Sequence, residues 1–154
     1  MTLHGMSVEA ASEHRDPEPP ANPGPRVRLE YRVPYADTDQ MHVVYYANYL
    51  EYFERVRNEI IRECGLSYKD WEARGLICPV IEAHCEYMLP ATYDDLIAID
   101  GWVVWVQGSR FRIEYEILRD EERLAIGHTI HNTMTPEGAP RRVPKEVQAL
   151  LGKK

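Results

Sequence analysis

Two carboxylates, Asp37 and Asp39, sit in the stretch "ADTDQMHVVYYANYLEYFERVR", directly before an aromatic run that takes on helical spacing. An ionised carboxylate held there could attack an electrophile or act as general base on a water. It could equally cap the turn, as Asp often does, and spacing alone leaves that plainer reading open. In extended backbone the two side chains point to opposite sides, so Asp37 is assigned to turn or helix capping rather than to a shared-proton pair with Asp39. His42 adds an imidazole to the same loop, and Asn48 adds an amide able to fix the loop or position water. Glu54 lies further along the helix with Arg57 at i+3, a spacing read as a structural ion pair.

A metal centre would draw on Asp37, Asp39, His42, His84, Glu86, His128 and His131. His128 and His131 are three apart in a predicted strand and so face opposite sides, and no H-E-x-x-H or facial-triad spacing occurs. No metal is expected. The chain also lacks a Gly-rich phosphate loop and a G-x-S-x-G elbow, which argues against a P-loop nucleotide hydrolase and an α/β-hydrolase.

The elements that must hold these residues come from 154 residues, 44% of them hydrophobic, enough for one domain with an ordinary core. A formal charge of -7 argues against a nucleic-acid partner, because phosphate binding needs clustered Lys and Arg. Arg141-Arg142 and Lys153-Lys154 read as solvated surface charge. No stretch approaches the ~20 apolar residues that span a bilayer, so no membrane partner is expected. The N-terminus lacks the order of a secretory signal, and Cys64, Cys78 and Cys85 form no CxxC pair. Together these point to a cytoplasmic protein without disulfides.

Residues 1–26 carry five of the eleven prolines and no periodicity, which reads as a disordered Pro-rich tail. From Val27 onward the rest of the chain, 27–154, reads as the folded domain. Val27, Leu29, Tyr31 and Val33 alternate with Arg28, Glu30 and Arg32, the pattern of a half-buried strand. Tyr46, Tyr49, Leu50, Phe53, Val56, Ile60, Ile61 and Cys64 recur at spacings of three and four, predicting a long helix that Gly65 stops. Glu51 with Arg55 and Glu59 with Arg62 place charge between these rows. Ser67 and Asp70 open a second short helix ended by Gly75. Strands are predicted over 77–88, 96–106, 110–119 and 123–134, as an antiparallel meander, and a closing helix begins with Pro144 at its first position. One amphipathic helix with five strands predicts an α+β fold in which the sheet curls around the helix. An exposed sheet edge in such a fold invites pairing between subunits.

"YRVPYADTDQMHVVYYANYLEYFERVRNEIIRECG", "CEYMLPATYDDLIAID" and "GSRFRIEYEI" together resemble the 4-hydroxybenzoyl-CoA thioesterase-like family, the hotdog-fold acyl-CoA thioesterases. The resemblance runs from about Val27 to Val143. It implies a five-stranded antiparallel sheet wrapped around a long central helix, and homodimers, often paired into homotetramers, with sites at the subunit interface. It implies hydrolysis of an acyl-CoA to free coenzyme A and a carboxylic acid with no further cofactor. The family's catalytic carboxylate falls on Asp39, and the backbone N–H that polarises the thioester carbonyl falls on Tyr46. A helix start suits that second role, because its first N–H groups lack internal partners and lie at the positive end of the helix dipole.

Substrate contacts are then expected from His42, whose plainer reading is a solvent-facing loop histidine, from Tyr45 and Asn48 near the turn, and from Ser109 and Arg110, where an Arg could meet coenzyme A phosphates. Arg110 reads equally well as a surface residue at a strand edge. Tyr45, Tyr46, Tyr49, Trp102 and Trp105 could line an aryl-acyl pocket, although core packing explains them as well. Tyr93, Asp94 and Asp95 read as a capped turn. His42 departs from the family, which usually has Gly there, and Gly tolerates positive φ where His seldom does. If His42 displaced the loop, the chain would become a non-hydrolytic acyl-thioester binding protein. A thioesterase for acyl-carrier proteins is the remaining alternative.

Overall fold

The computed structural model describes residues 23–152. Its strands are β1 (Val27–Arg32), β2 (Val80–Tyr87), β3 (Leu96–Gln107), β4 (Arg110–Arg119) and β5 (Glu122–Asn132). Its helices are α1 (Asn48–Glu63), α2 (Tyr68–Ala73) and the short α3 (Lys145–Gln148). All five strands join one antiparallel sheet in the order β1-β3-β4-β5-β2. The expected meander therefore holds only for β3 to β5. β2 leaves its chain neighbour β3 and pairs with β5 at the far edge. Alternating side chains fix which face of a strand is buried but carry no information about which strand lies beside it.

α1 lies across one face of the sheet and buries Tyr49, Tyr52, Phe53, Val56, Ile60 and Ile61. Each large apolar side chain removed from water contributes about 1.5–3 kcal/mol, so this face supplies much of the drive to fold. Two glycines let the helix approach. A Cβ on Gly127 would meet the Phe53 ring at 2.6 Å, and one on Gly101 would meet Val56 and Ile60 at 3.0 Å. Phe53 stacks flat on Tyr115, with ring centroids 4.4 Å apart. Tyr46 and Leu50, expected on the apolar face, stand 62% and 42% exposed, and Tyr52 takes the buried position instead.

α1 begins two residues later than expected, with Ala47 at its N-cap and no side chain capping it. Its stop is as expected: Gly65 adopts φ 79° just beyond Cys64. Ser67 and Asp70 form a full capping box on α2, and Gly75 follows at φ 68°. Pro144 is the N-cap of α3 rather than its first residue. Residues 1–22 lie outside the described residues, and with them most of the expected tail. Residues 24–26 belong to the folded part. Gly24 N–H donates to Val103 O at 2.8 Å, and the Arg26 guanidinium lies 4.1 Å over Trp102 while pairing with Asp100 and Glu116. Among the described residues no helix is long and apolar enough to cross a membrane.

Candidate active site

The acidic turn is a small hairpin. Thr38 and Val44 form an antiparallel bridge, Asp39 N–H donates to Val43 O at 2.9 Å, and His42 N–H donates to Asp39 O at 3.0 Å. His42 takes φ 65° at the end of this turn. A type I turn followed by one left-handed residue is a standard three-residue hairpin loop, in which glycine favours the left-handed place. Here the loop keeps that geometry with a histidine. The Asp39 side chain is half-buried, and its Oδ1 accepts from Met41 N–H at 2.8 Å. The turn-capping role thus uses one oxygen of the carboxylate.

Asp37 holds this turn to the helix. Its Oδ2 accepts from Tyr52 OH on α1 at 2.7 Å and from Tyr31 OH on β1 at 2.9 Å. Its backbone O accepts from Tyr45 N–H and from Asn48 Nδ2, each at 2.9 Å. Asn48 therefore fixes the loop, as its amide allowed, and Asp37 caps no helix through its side chain. Burial and the bond to Asp37 push both phenols, Tyr52 and Tyr31, above the usual tyrosine range, so they stay donors at neutral pH. Sequence reasoning missed Tyr31 and Tyr52, because they come from a strand and a helix that only the fold brings together. Tyr31 was legible as an inward-facing member of its strand, whereas Tyr52 fell outside the expected apolar face of the helix.

Asp39 and Tyr46 line one groove of about 290 Å³, with Tyr49 of α1 and the segment Tyr87 to Pro90 as its other wall. Tyr87 OH donates to Tyr46 O at 2.8 Å, which ties the end of β2 to the approach of α1. Tyr46 N–H has no acceptor among the described residues. The wall from Tyr87 to Pro90 is the second feature the residue pattern did not single out. Its signal was the apolar run "YMLP" immediately after a strand. Tyr45 and His42 are exposed, and His42 lines a second, open hollow together with Tyr35, Thr38, Gln40 and Asp39 itself.

Other expected residues lie elsewhere. The Glu54–Arg57 ion pair does not form: Glu54 faces solvent, and the partly buried Arg57 reaches toward Tyr115 OH at 3.5 Å. Arg57 is on the sheet side of α1, where no carboxylate pairs with it among the described residues, while Glu54 is on the wet side. Arg55 lies 4.7 Å over the Tyr31 ring instead of pairing with Glu51, whereas Arg62 does pair with Glu59. Ser109 and Arg110 stand at the start of β4, and its other end, Arg119, touches Pro90 O at 3.2 Å beside the groove. Along a ten-residue strand those ends are about 30 Å apart, so one chain does not bring Ser109 and Arg110 to Asp39.

Asp95 caps the Thr92–Asp95 turn and pairs with Arg119 at 2.8 Å. Burial would raise its carboxyl, but the bonds from Thr92 and Arg119 win and hold it below the usual range. His84 and His128 stack with centroids 5.2 Å apart on the outer sheet face, and His131 is buried on the other. Among the described residues no three potential ligands gather to hold a metal.

Comparison with known proteins places the chain in a family. A sequence model described as the thioesterase-like superfamily matches residues 33–151. The chain is 34% identical over 102 residues to a putative acyl-CoA thioesterase, YneP, of Bacillus subtilis, covering 66% of this chain and 74% of that protein. Its structure superposes on a probable thioesterase from Bartonella henselae with a TM-score of 0.73 and 35% identity, covering 78% of this chain and all of the other. A 4-hydroxybenzoyl CoA thioesterase solved with 4-hydroxybenzoyl CoA is 18% identical, with a TM-score of 0.75 over 81% of this chain and 97% of its own, a likeness of fold. The chain has the hotdog fold, is a thioester hydrolase, and belongs to the thioesterase-like superfamily.

Proposed function

We propose that the chain hydrolyses acyl-CoA thioesters to free coenzyme A and a carboxylic acid, with Asp39 as the attacking or proton-accepting group and the Tyr46 N–H as oxyanion donor. The observation that carries this reading is that the acidic turn and the approach to α1 line one groove, with a Tyr46 N–H that has no acceptor among the described residues. Asp39 either attacks the carbonyl carbon, giving a mixed anhydride that water opens, or takes a proton from the water that attacks. In both routes the thiolate of coenzyme A leaves and is protonated. Negative charge developing on the carbonyl oxygen would meet the N–H groups at the positive end of the α1 dipole. No other cofactor takes part. The names of the relatives favour coenzyme A over an acyl-carrier protein as the carrier. The left-handed φ at His42 is a conformation glycine would favour there, which supports the hydrolytic reading over a merely binding one.

The working unit of this proposal is a dimer joined through β2. Seven of its eight residues are exposed, and it ends the sheet with one side unpaired. A two-fold pairing runs β2 antiparallel to its copy, which carries the Val80 end of the partner toward the Tyr87 end of this chain. Ser109 and Arg110 stand at that Val80 end, so the partner's Arg110 would approach the Asp39 groove from across the interface.

The test is chromatographic detection of products from short, medium, long and aryl acyl-CoAs, and from acyl-carrier proteins bearing the same groups, with wild type and Asp39→Asn. Loss of at least ~100-fold in kcat by a folded Asp39→Asn is expected, and coenzyme A thioesters should outpace the carrier protein. Undiminished turnover by Asp39→Asn would remove Asp39 from the chemistry.

A further inference from the structure

At the other end of α1 a separate cavity of about 360 Å³ opens beneath α2, within the size range of small-molecule sites. Its walls are apolar: Ile61, Leu76, Ile77, Pro79 and Phe111 all line it. Arg57 carries the only positive charge among its lining residues. The guanidinium has five donors, yet its contacts are phenols, Tyr115 OH at 3.5 Å and the Tyr68 side chain. Tyr115 OH is itself already engaged with Thr129 Oγ1 at 2.6 Å. No carboxylate pairs with Arg57 among the described residues. The one acid on the lining, Glu72, is exposed at the rim.

The other polar groups in the cavity cannot supply a counter-charge. Thr129 Oγ1 meets His131 Nε2 at 2.8 Å, and burial with the nearby Arg57 lowers the imidazole pKa to about 3, so it is neutral. Burial pushes the Cys78 thiol up to about 12, so it is neutral as well. A partly buried guanidinium without an anion is a costly arrangement, and an apolar pocket around it admits an anion only if the rest of that anion is apolar.

We infer that the cavity beneath α2 is a binding site for a small apolar carboxylate, such as a medium-chain fatty acid or an aryl acid, whose carboxylate is received by Arg57. An Arg–carboxylate contact of this kind can form two parallel hydrogen bonds while the tail displaces water from the apolar wall. The site does not depend on hydrolysis at Asp39, although the acids it fits are of the class that thioester hydrolysis releases.

Binding of octanoate, benzoate and octan-1-ol to the full chain, followed by calorimetry and by 13C NMR of the labelled carboxyl, tests this without turnover. The acid is expected to bind at least about tenfold more tightly than the alcohol, and Arg57→Met should abolish that preference. Ile77→Trp, which fills the cavity mouth and leaves Arg57 in place, should weaken both ligands, and it serves if Arg57→Met fails to fold. Met88→Trp, in the Asp39 groove, should leave the affinities unchanged. Equal affinity for acid and alcohol in wild type overturns the inference. So does acid binding that survives Ile77→Trp, or that is lost only in Met88→Trp, which would place the acid in the Asp39 groove.

Discussion

A left-handed histidine beside a catalytic candidate is a local cost that the fold tolerates. An L-residue in that conformation costs about 1–2 kcal/mol, least for residues with a flexible or polar side chain and most for β-branched ones. His42→Gly should therefore leave the denaturation midpoint at or above that of wild type, and His42→Val should lower stability by about 1–2 kcal/mol; equal midpoints for the two variants would show that the loop does not need φ 65°. At this scale the Asp-x-Asp pair was legible as turn chemistry written in consecutive residues, whereas the special place of residue 42 was legible only through the family resemblance. What Asp37 binds was not. Its two phenolic donors sit six residues before it and fifteen after it, and their meeting depends on β1 and α1 packing side by side.

Element by element, the helical spacing and the strict alternation of β4 translated directly, the latter with both ends as expected at Arg110 and Arg119. The face of α1 was less exact, since tyrosine suits a core and a groove wall equally well, and only packing decided that Tyr52 is buried and Tyr46 exposed. At Gly127, under the helix, an added Cβ would meet the His84 carbonyl oxygen of the neighbouring strand as well as the Phe53 ring. A backbone oxygen cannot swing away as a side-chain tip can. Gly127→Ala is accordingly expected to destabilise by about 3 kcal/mol in urea titrations, the upper part of the range for overpacking, and a loss below about 0.5 kcal/mol would show that the sheet yields there.

For the whole molecule, strand order and subunit pairing were the least legible, because both are long-range matters that no local pattern encodes. If β2 joins two copies, Ala83→Lys or Ile81→Lys on that edge should shift the mass measured by light scattering toward the monomer, while wild type holds the dimer or a tetramer built from it. Unchanged mass in both variants would locate the interface elsewhere. Stability should also depend on pH through His131. Its folded pKa of about 3 lies below the usual 6.5, so between those values the unfolded chain binds a proton that the folded chain refuses. Stability must then fall as pH drops below 6.5, by at most about 1.4 kcal/mol per pH unit for this one group. His131→Gln should flatten the slope between pH 6.5 and 4.5, above the range where Asp95 and Glu146 take up protons. An identical slope in that variant would assign the dependence to other groups.

The bond from Tyr52 to Asp37 also sets a clock for the turn. A surface hairpin would ordinarily open on its own, exchanging its amide hydrogens with solvent long before the core does. Here the Asp39 and His42 amides close a loop whose anchor is a side chain in the buried stripe of α1. Slow exchange at those two amides would follow the lifetime of the helix docked on the sheet, so the catalytic candidate would keep its shape for as long as the core does and lose it in the same event.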